Sequence, residues 1–510
     1  MTRRAVKDEN VVAEAPPRPP SHSSYAPQRR TALVLTGTGT AGAYHAGVLH
    51  ALHEAGVKID LVAGRGIGVV GAAFAAIDGA EQLWDSTGLW RSASATRLYR
   101  WRPSLRASAW ILGLTLAAVL LPLGVVLLAS LAYPVAYLLH VGGIPGAGAL
   151  TTGFGQVVDL VFAPAALPTW LPRLVVMGLI VLLAVLGGTA GTDWFRARGH
   201  RRTRGALWWV LLGAPLDARD ARGWFADGLW KLMRGAAPVT QPGPVEMGQR
   251  YTDLLIENLG QPGFRELLIT AHDLDGRRDV SFALLADPYR RRFFQRRVGA
   301  TDPNRGLEAL DLAGDARSAA FDACAAALCL PVATEPWLLA FAPTSSWRGE
   351  THRVCDRPDA LGRLLDEVAR AGAQQVILVS ALPGPAGPHT LGAGRRDGRG
   401  RIGESLAAME SAAVRDAVAS RANLFEEVFE IRPRHNALGP FDFAGCYDER
   451  SDRQQTVGEL IDRGYEDGHR QFVGPVIGAS GEEIEPAAVP RAAARGRIAG
   501  GSVPSQKFDT

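Results

Sequence analysis

The chain has 510 residues but only four cysteines, Cys324, Cys329, Cys355 and Cys446. None falls in a C-x-x-C pair or at Cys/His metal-ligand spacing, which excludes a thiolate metal centre and a disulfide framework. Four inert thiols in a reducing compartment remain. A surplus of charge of one sign is missing too. Lys and Arg number 55 against 51 Asp and Glu, a formal net charge of +4, with arginine carrying nearly all the basicity. That balance excludes a nucleic-acid stripe and leaves local basic patches. Residues 1–30 lack the apolar run of a signal peptide and are rich in Pro, Arg and Ser, so they read as a disordered tail. Residues 485–510, rich in Ala, Arg, Gly and Pro, read the same way.

Charge vanishes altogether from Ala107 to Leu139. A second apolar span runs from about Leu171 to Gly191, with Pro172 and Arg173 in its first turn. A bilayer core takes about 20 apolar residues as a helix, so both spans predict a transmembrane hairpin. Pro122 and Pro134 should kink the first span. Arg91, Arg97, Arg100, Arg102 and Arg106 precede the hairpin, and Arg196, Arg198, Arg201, Arg202 and Arg204 follow it. Residues 140–170 contain no Lys or Arg and read as a Gly/Ala/Pro-rich outer loop, so the basic flanks, the folded domain and both termini are placed on the cytoplasmic side. Trp101, Trp110, Trp170, Trp194, Trp208 and Trp209 lie near the expected interfaces. The stretch 221–235 reads either as an interfacial helix or as an amphipathic helix packed on the folded domain.

Outside the hairpin, strands and helices alternate. Strands are expected at 31–36, 59–63, 266–274, 280–286, 375–382 and 426–433. Helices are expected at 43–56, 68–78, 316–328, 359–372, 402–420 and 452–473. The pattern predicts an α/β three-layer domain with a largely parallel sheet. Its expected parts are a tail at 1–30, a first section at 31–90, the inserted hairpin with basic flanks at 91–205, a second section at 206–484 and a tail at 485–510.

Two glycine motifs follow the first two strands. Gly37-Thr38-Gly39-Thr40-Ala41-Gly42 fits G-x-G-x-x-G, whose backbone N–H groups can hold a pyrophosphate. For nucleotide binding an acidic residue should close the second strand, yet Asp60 opens it. The same N–H groups can instead form an oxyanion hole. Gly64-Arg65-Gly66-Ile67-Gly68 has the strand–turn–helix form of a nucleophile elbow, G-x-S-x-G, but a glycine stands at the serine position.

Together, "LVLTGTGTAGAYHAGVLHALHEAG" and "VAGRGIGVVGAAFAA" resemble the opening of a patatin-like phospholipase domain. The resemblance implies a glycine-rich oxyanion loop with a basic residue before its last glycine, a serine elbow, and an aspartate in a D-G-G/A motif that completes a Ser–Asp dyad without histidine. This sequence departs at each element: Gly66 replaces the serine, Thr38 a loop glycine, and Ala41 the basic residue. The positional candidate for the dyad aspartate is Asp356, followed by Arg357. Asp78-Gly79-Ala80 comes too early in the chain, and Asp275-Gly276 reads as a turn. Thr36, Thr38 and Thr40 lie on the loop rather than at the elbow, His45 reads as a helix-packing residue, and Ser480 lies outside any elbow pattern.

The expectation is a membrane-anchored pseudo-hydrolase of patatin-like fold in a bacterial inner membrane or another cytosol-facing membrane. It would bind membrane lipid or a protein partner, with no metal, no cofactor and no nucleic acid. An active lipid acyl hydrolase with a non-standard nucleophile, an interaction scaffold and a nucleotide binder are the alternatives.

Overall fold

A computed structural model describes residues 25–163, 167–196, 213–294, 307–345, 347–382, 384, 396–433, 439–443, 446–448 and 453–477. The flanking Arg198, Arg201, Arg202 and Arg204, together with Trp208, Trp209, Ser480 and most of both expected tails, lie outside the described residues. Residues 25–30, assigned to the tail from sequence, pack on the domain instead: Tyr25 is buried and its hydroxyl donates to the Lys58 carbonyl at 2.9 Å.

The sheet grows from β1 (Thr31–Thr36), whose side chains are buried on both faces. Leu33 and Leu35 enter one apolar cluster while Ala32 and Val34 enter another, as the period of two requires. β1 pairs in parallel with β2 (Leu61–Gly64) on one side and with β8 (Gln375–Ser380) on the other. The remaining strands are β3 (Glu266–Asp273), β4 (Arg278–Leu284), β5 (Leu307–Asp311), β6 (Trp337–Ala340), β7 (Thr351–Cys355) and β9 (Glu427–Ile431). The order is β9-β8-β1-β2-β3-β4-β5, with β7 also pairing with β3, and β6 with β7. It is a mostly parallel mixed sheet in which the β3–β4 hairpin is antiparallel. In that hairpin's turn the Asp273 carboxylate accepts from the backbone N–H groups of Asp275 and Gly276, which confirms Asp275-Gly276 as a turn.

Helices cover both faces. On one side lie α1 (Ala41–Glu54), α2 (Gly68–Ala76), the helices Arg219–Arg234 and Ala320–Ala327, and Val457–Gly468. On the other lie Leu361–Arg370 and Gly398–Arg421. Leu361, Leu364, Leu365 and Val368 form the i, i+3, i+4, i+7 stripe that seats the first of these on the sheet. The helix Arg219–Arg234 buries Trp224, Phe225, Leu229 and Trp230 in the domain core. Of its two sequence readings, packing on the domain is the one observed.

The insertion leaves and rejoins the domain at one point, where Arg100–Trp101 pairs antiparallel with Leu216–Asp217. Three helices follow, Pro103–Val141, Ala147–Phe162 and Leu167–Arg196. At 1.5 Å per residue the 39-residue first helix is about 58 Å long and runs through Pro122 and Pro134. The first and third helices are long and apolar enough to cross a bilayer, and only 6% and 0% of their most apolar windows are buried. Buried core helices would show the opposite.

Residues 147–162, expected as loop, are helical. Their glycines conceal the pattern, and packing on the first helix, including an edge-on Phe154–Tyr133 contact at 6.0 Å, overrides weak propensity.

Candidate functional site

Both glycine motifs sit at the carboxyl ends of adjacent parallel strands, where open α/β sheets place their sites. β1 runs into the loop Gly37–Thr40 and then α1; β2 runs into Arg65–Ile67 and then α2. The turn has elbow geometry. Gly66 has a φ of +54°, a left-handed conformation, and a Cβ on Gly68 would fall on the Leu35 carbonyl. Three backbone bonds lock it: Arg65 N–H to the Leu35 carbonyl at 3.2 Å, Ile67 N–H to Gly37 at 2.9 Å, and Gly68 N–H to Arg65 at 3.0 Å.

A Cβ built on Gly66 would lie 3.0 Å from Asp356 Oδ2 and would fall on the Gly37 carbonyl oxygen. Asp356, directly after β7, therefore stands beside the elbow. The structure brings Gly66 and Asp356 together across 290 residues of sequence.

The side chain of Arg65 engages the Asp356 carboxylate. Its guanidinium donates to both carboxylate oxygens of Asp356, from Nε at 3.2 Å and Nη2 at 2.8 Å. Nη1 donates to Thr36 Oγ1 at 2.9 Å and to the Pro358 carbonyl at 3.1 Å, and lies 3.6 Å from Glu410 Oε1. All three ionisable side chains are sealed, at 1% exposure for Arg65 and Asp356 and 3% for Glu410. Burial works against the Arg65 charge, but Asp356 and Glu410 outweigh it and hold the guanidinium protonated. Burial pushes the Glu410 carboxyl above the usual carboxylate range, against the pull of Arg65.

The oxyanion loop is also occupied. Thr38 Oγ1 donates to Glu410 Oε2 at 3.2 Å. Thr40 N–H donates to the Pro440 carbonyl at 3.2 Å, and Thr40 Oγ1 donates to the Gly439 carbonyl at 2.8 Å. Gly39, with a φ of +60°, lets this segment sit directly on the loop. The N–H of the residue after the nucleophile position, Ile67, is taken by Gly37. The Thr40 and Ile67 N–H groups, two donors that could meet a developing oxyanion, therefore already have protein acceptors. Ala41 and Gly42 lie inside α1, where a Cβ on Gly42 would strike the Trp90 ring.

His45 is fully buried and bonds the Thr36 carbonyl through Nε2 at 3.0 Å, which is the packing role read from sequence. Burial lowers its pKa from 6.5 to about 4. The neutral folded imidazole contributes stability that is complete above pH 6.5 and is lost as pH falls toward 4, where the unfolded chain binds the extra proton. Denaturant titrations should therefore show wild type losing up to about 3 kcal/mol relative to His45→Gln across that window.

Other sequence candidates fall elsewhere. Asp60 accepts from Thr31 N–H at 2.9 Å at the amino end of β1, away from the glycine loop, so it cannot hold a ribose there. Asp78-Gly79-Ala80 follows α2, and Gly79 abuts Leu232. Arg357 pairs with Asp279 at 2.9 Å and Asp359 at 3.0 Å. Cys324, Cys329 and Cys355 are buried free thiols, and burial raises Cys324 and Cys355 to about 12. No group of His, Cys, Asp and Glu among the described residues could hold a metal.

Sequence reading named Arg65 only as an elbow letter and missed Glu410 and Pro440. For Glu410 a signal existed: Leu406, Glu410, Val414 and Ala417 share the buried stripe of their helix. An acid on such a stripe requires a buried partner.

Residues 33–123 match the family model described as Patatin-like phospholipase, a stretch that holds the loop, the elbow and the start of the first apolar helix. A search of curated proteins gave no match. Among solved structures, VipD from Legionella pneumophila aligns at 12% identity over 88% of this chain and 67% of its own, with a TM-score of 0.27.

Proposed function

We propose that this chain is a membrane-anchored patatin-like protein whose hydrolytic centre is silent and which acts by binding lipid at the bilayer surface. The observation that carries this reading is the Asp356–Arg65 pair set against glycine at 66. A serine mechanism needs a hydroxyl with a free base in reach; here the base is held by a guanidinium and the hydroxyl is missing. Thr36, Thr38 and Thr40 cannot substitute, because all three are buried and hydrogen-bonded within the cluster or the covering segment.

Support for anchoring comes from the two exposed apolar helices. The arginines at 91, 97, 100, 102 and 106 favour a cytoplasmic position for the domain, with residues 140–170 across the membrane. A bacterial inner membrane, or another membrane facing the cytosol, suits that orientation.

Full-length protein in lipid nanodiscs should turn over neither short-chain esters nor phospholipids faster than its Asp356→Asn variant. Alkaline carbonate should leave it in the membrane pellet, and a cysteine at Thr151 should label only from the non-cytoplasmic side. Hydrolysis that Asp356→Asn abolishes would overturn the silent-centre reading, and release by carbonate would overturn the anchor.

A further inference from the structure

The sealed centre offers no room for a ligand, but a groove beside the hairpin root does. It has a volume of about 590 Å³ and runs between the Arg219–Arg234 helix and the segment 82–100. Phe74, Leu89 and Trp224 supply apolar lining, and Arg97, Arg100 and Arg219 supply guanidinium groups. Arg100 belongs to the two-stranded root from which the first apolar helix departs at Pro103, and Arg219 opens the helix that follows the root's second strand.

The cations at this end have capacity to spare. Arg97 is exposed and has no ion-pair partner among the described residues. Arg100 approaches Asp220 only to 3.8 Å, and Arg219 approaches Asp217 only to 3.6 Å, both longer than hydrogen bonds. Asp85, Asp220, Asp227 and Lys231 also line the groove. The last charge before the apolar run is Arg106, so a bilayer crossed by that helix would bring its headgroups level with the three arginines.

We infer that this groove is a headgroup site for an anionic phospholipid. Arg97, Arg100 and Arg219 take the phosphodiester, and the glycerol and first acyl carbons lie on Trp224 and Leu89. The site rests on the membrane-anchored reading and is separate from the glycine-loop centre. Its chemistry is shared with free phosphate esters, but a position at the bilayer surface favours the lipid.

The test is native mass spectrometry of the full chain released from nanodiscs of phosphatidylcholine doped with phosphatidylglycerol. Wild type should retain phosphatidylglycerol at least about five-fold over phosphatidylcholine. Arg97→Ala/Arg219→Ala, both exposed and structurally undemanding positions, should lose that preference. Arg106→Ala, a charge of the same collar outside the groove, should keep it, and millimolar glycerol 3-phosphate should not compete. No preference in wild type, equal loss in Arg106→Ala, or displacement by glycerol 3-phosphate would each overturn the inference. Carbonate extraction of the same samples separates the two claims, since a protein that stays in the membrane without lipid preference refutes only the groove.

Discussion

Replacing Arg65 by methionine should lower folding stability by about 3–5 kcal/mol, the range found when one partner of a buried ion pair is removed. The cause is local. Asp356 is 1% exposed and sits near Glu410, so without the guanidinium two acids would share one dry pocket. Thr36 and the Pro358 carbonyl would lose their donor as well. The double variant Arg65→Met/Asp356→Leu should recover much of the loss, because an apolar pair of similar volume removes the Asp356 carboxylate that the single variant strands. Denaturation midpoints of the detergent-solubilised chain, followed by tryptophan fluorescence, would report both. Equal stability of Arg65→Met and wild type would mean that the cluster is not held as described.

Restoring the missing nucleophile should not restore chemistry. Gly66→Ser is expected to give no detectable ester hydrolysis and to cost about 1–3 kcal/mol, because a side chain at a positive φ is strained and this Cβ would fall on the Gly37 carbonyl. A serine there would find Asp356 close, since the Cβ stands 3.0 Å from Oδ2. Proximity is not enough. Both carboxylate oxygens already accept from Arg65, so the lone pairs that would receive the serine hydrogen bond are engaged. An ester-hydrolysis progress curve and a thermal melt on the same preparation would separate inactivity through occupation from inactivity through unfolding. Turnover by a folded Gly66→Ser protein would show that the elbow is merely missing a hydroxyl.

How much of this was legible in the sequence depended on whether the signal was local. β1 was expected at 31–36 and is found at Thr31–Thr36, because a fully buried parallel strand reads as an unbroken apolar run. The two long apolar helices were equally plain from composition. The helix Pro244–Asn258 was missed although Pro244 at its first turn and Glu246 after it are start signals, since its apolar face is short and lies between Gly/Pro stretches. The hairpin of β6 and β7 was missed because β6 does not alternate in polarity: Trp337, Leu338, Leu339 and Ala340 are all apolar, although Leu338 is exposed and Leu339 buried.

At the site the division is the same. The loop and elbow are contiguous motifs, and Asp356 was reached through its place in the family's order of elements. The direction of Arg65 was not legible, because its four partners come from positions 36, 356, 358 and 410. The covering carbonyl of Pro440 is 400 residues from Thr40. Neither contact leaves a local trace, yet these two contacts turn a serine elbow with one altered letter into a closed polar cluster.

The central claim is that no activated nucleophile exists at this centre. The most direct measurement is intact mass of the full-length protein in nanodiscs after exposure to a long-chain fluorophosphonate, which forms a stable adduct with an activated serine or threonine hydroxyl. The account predicts an unmodified mass. A stoichiometric adduct that peptide mapping places on Thr36, Thr38 or Thr40, and that Asp356→Asn abolishes, would contradict it.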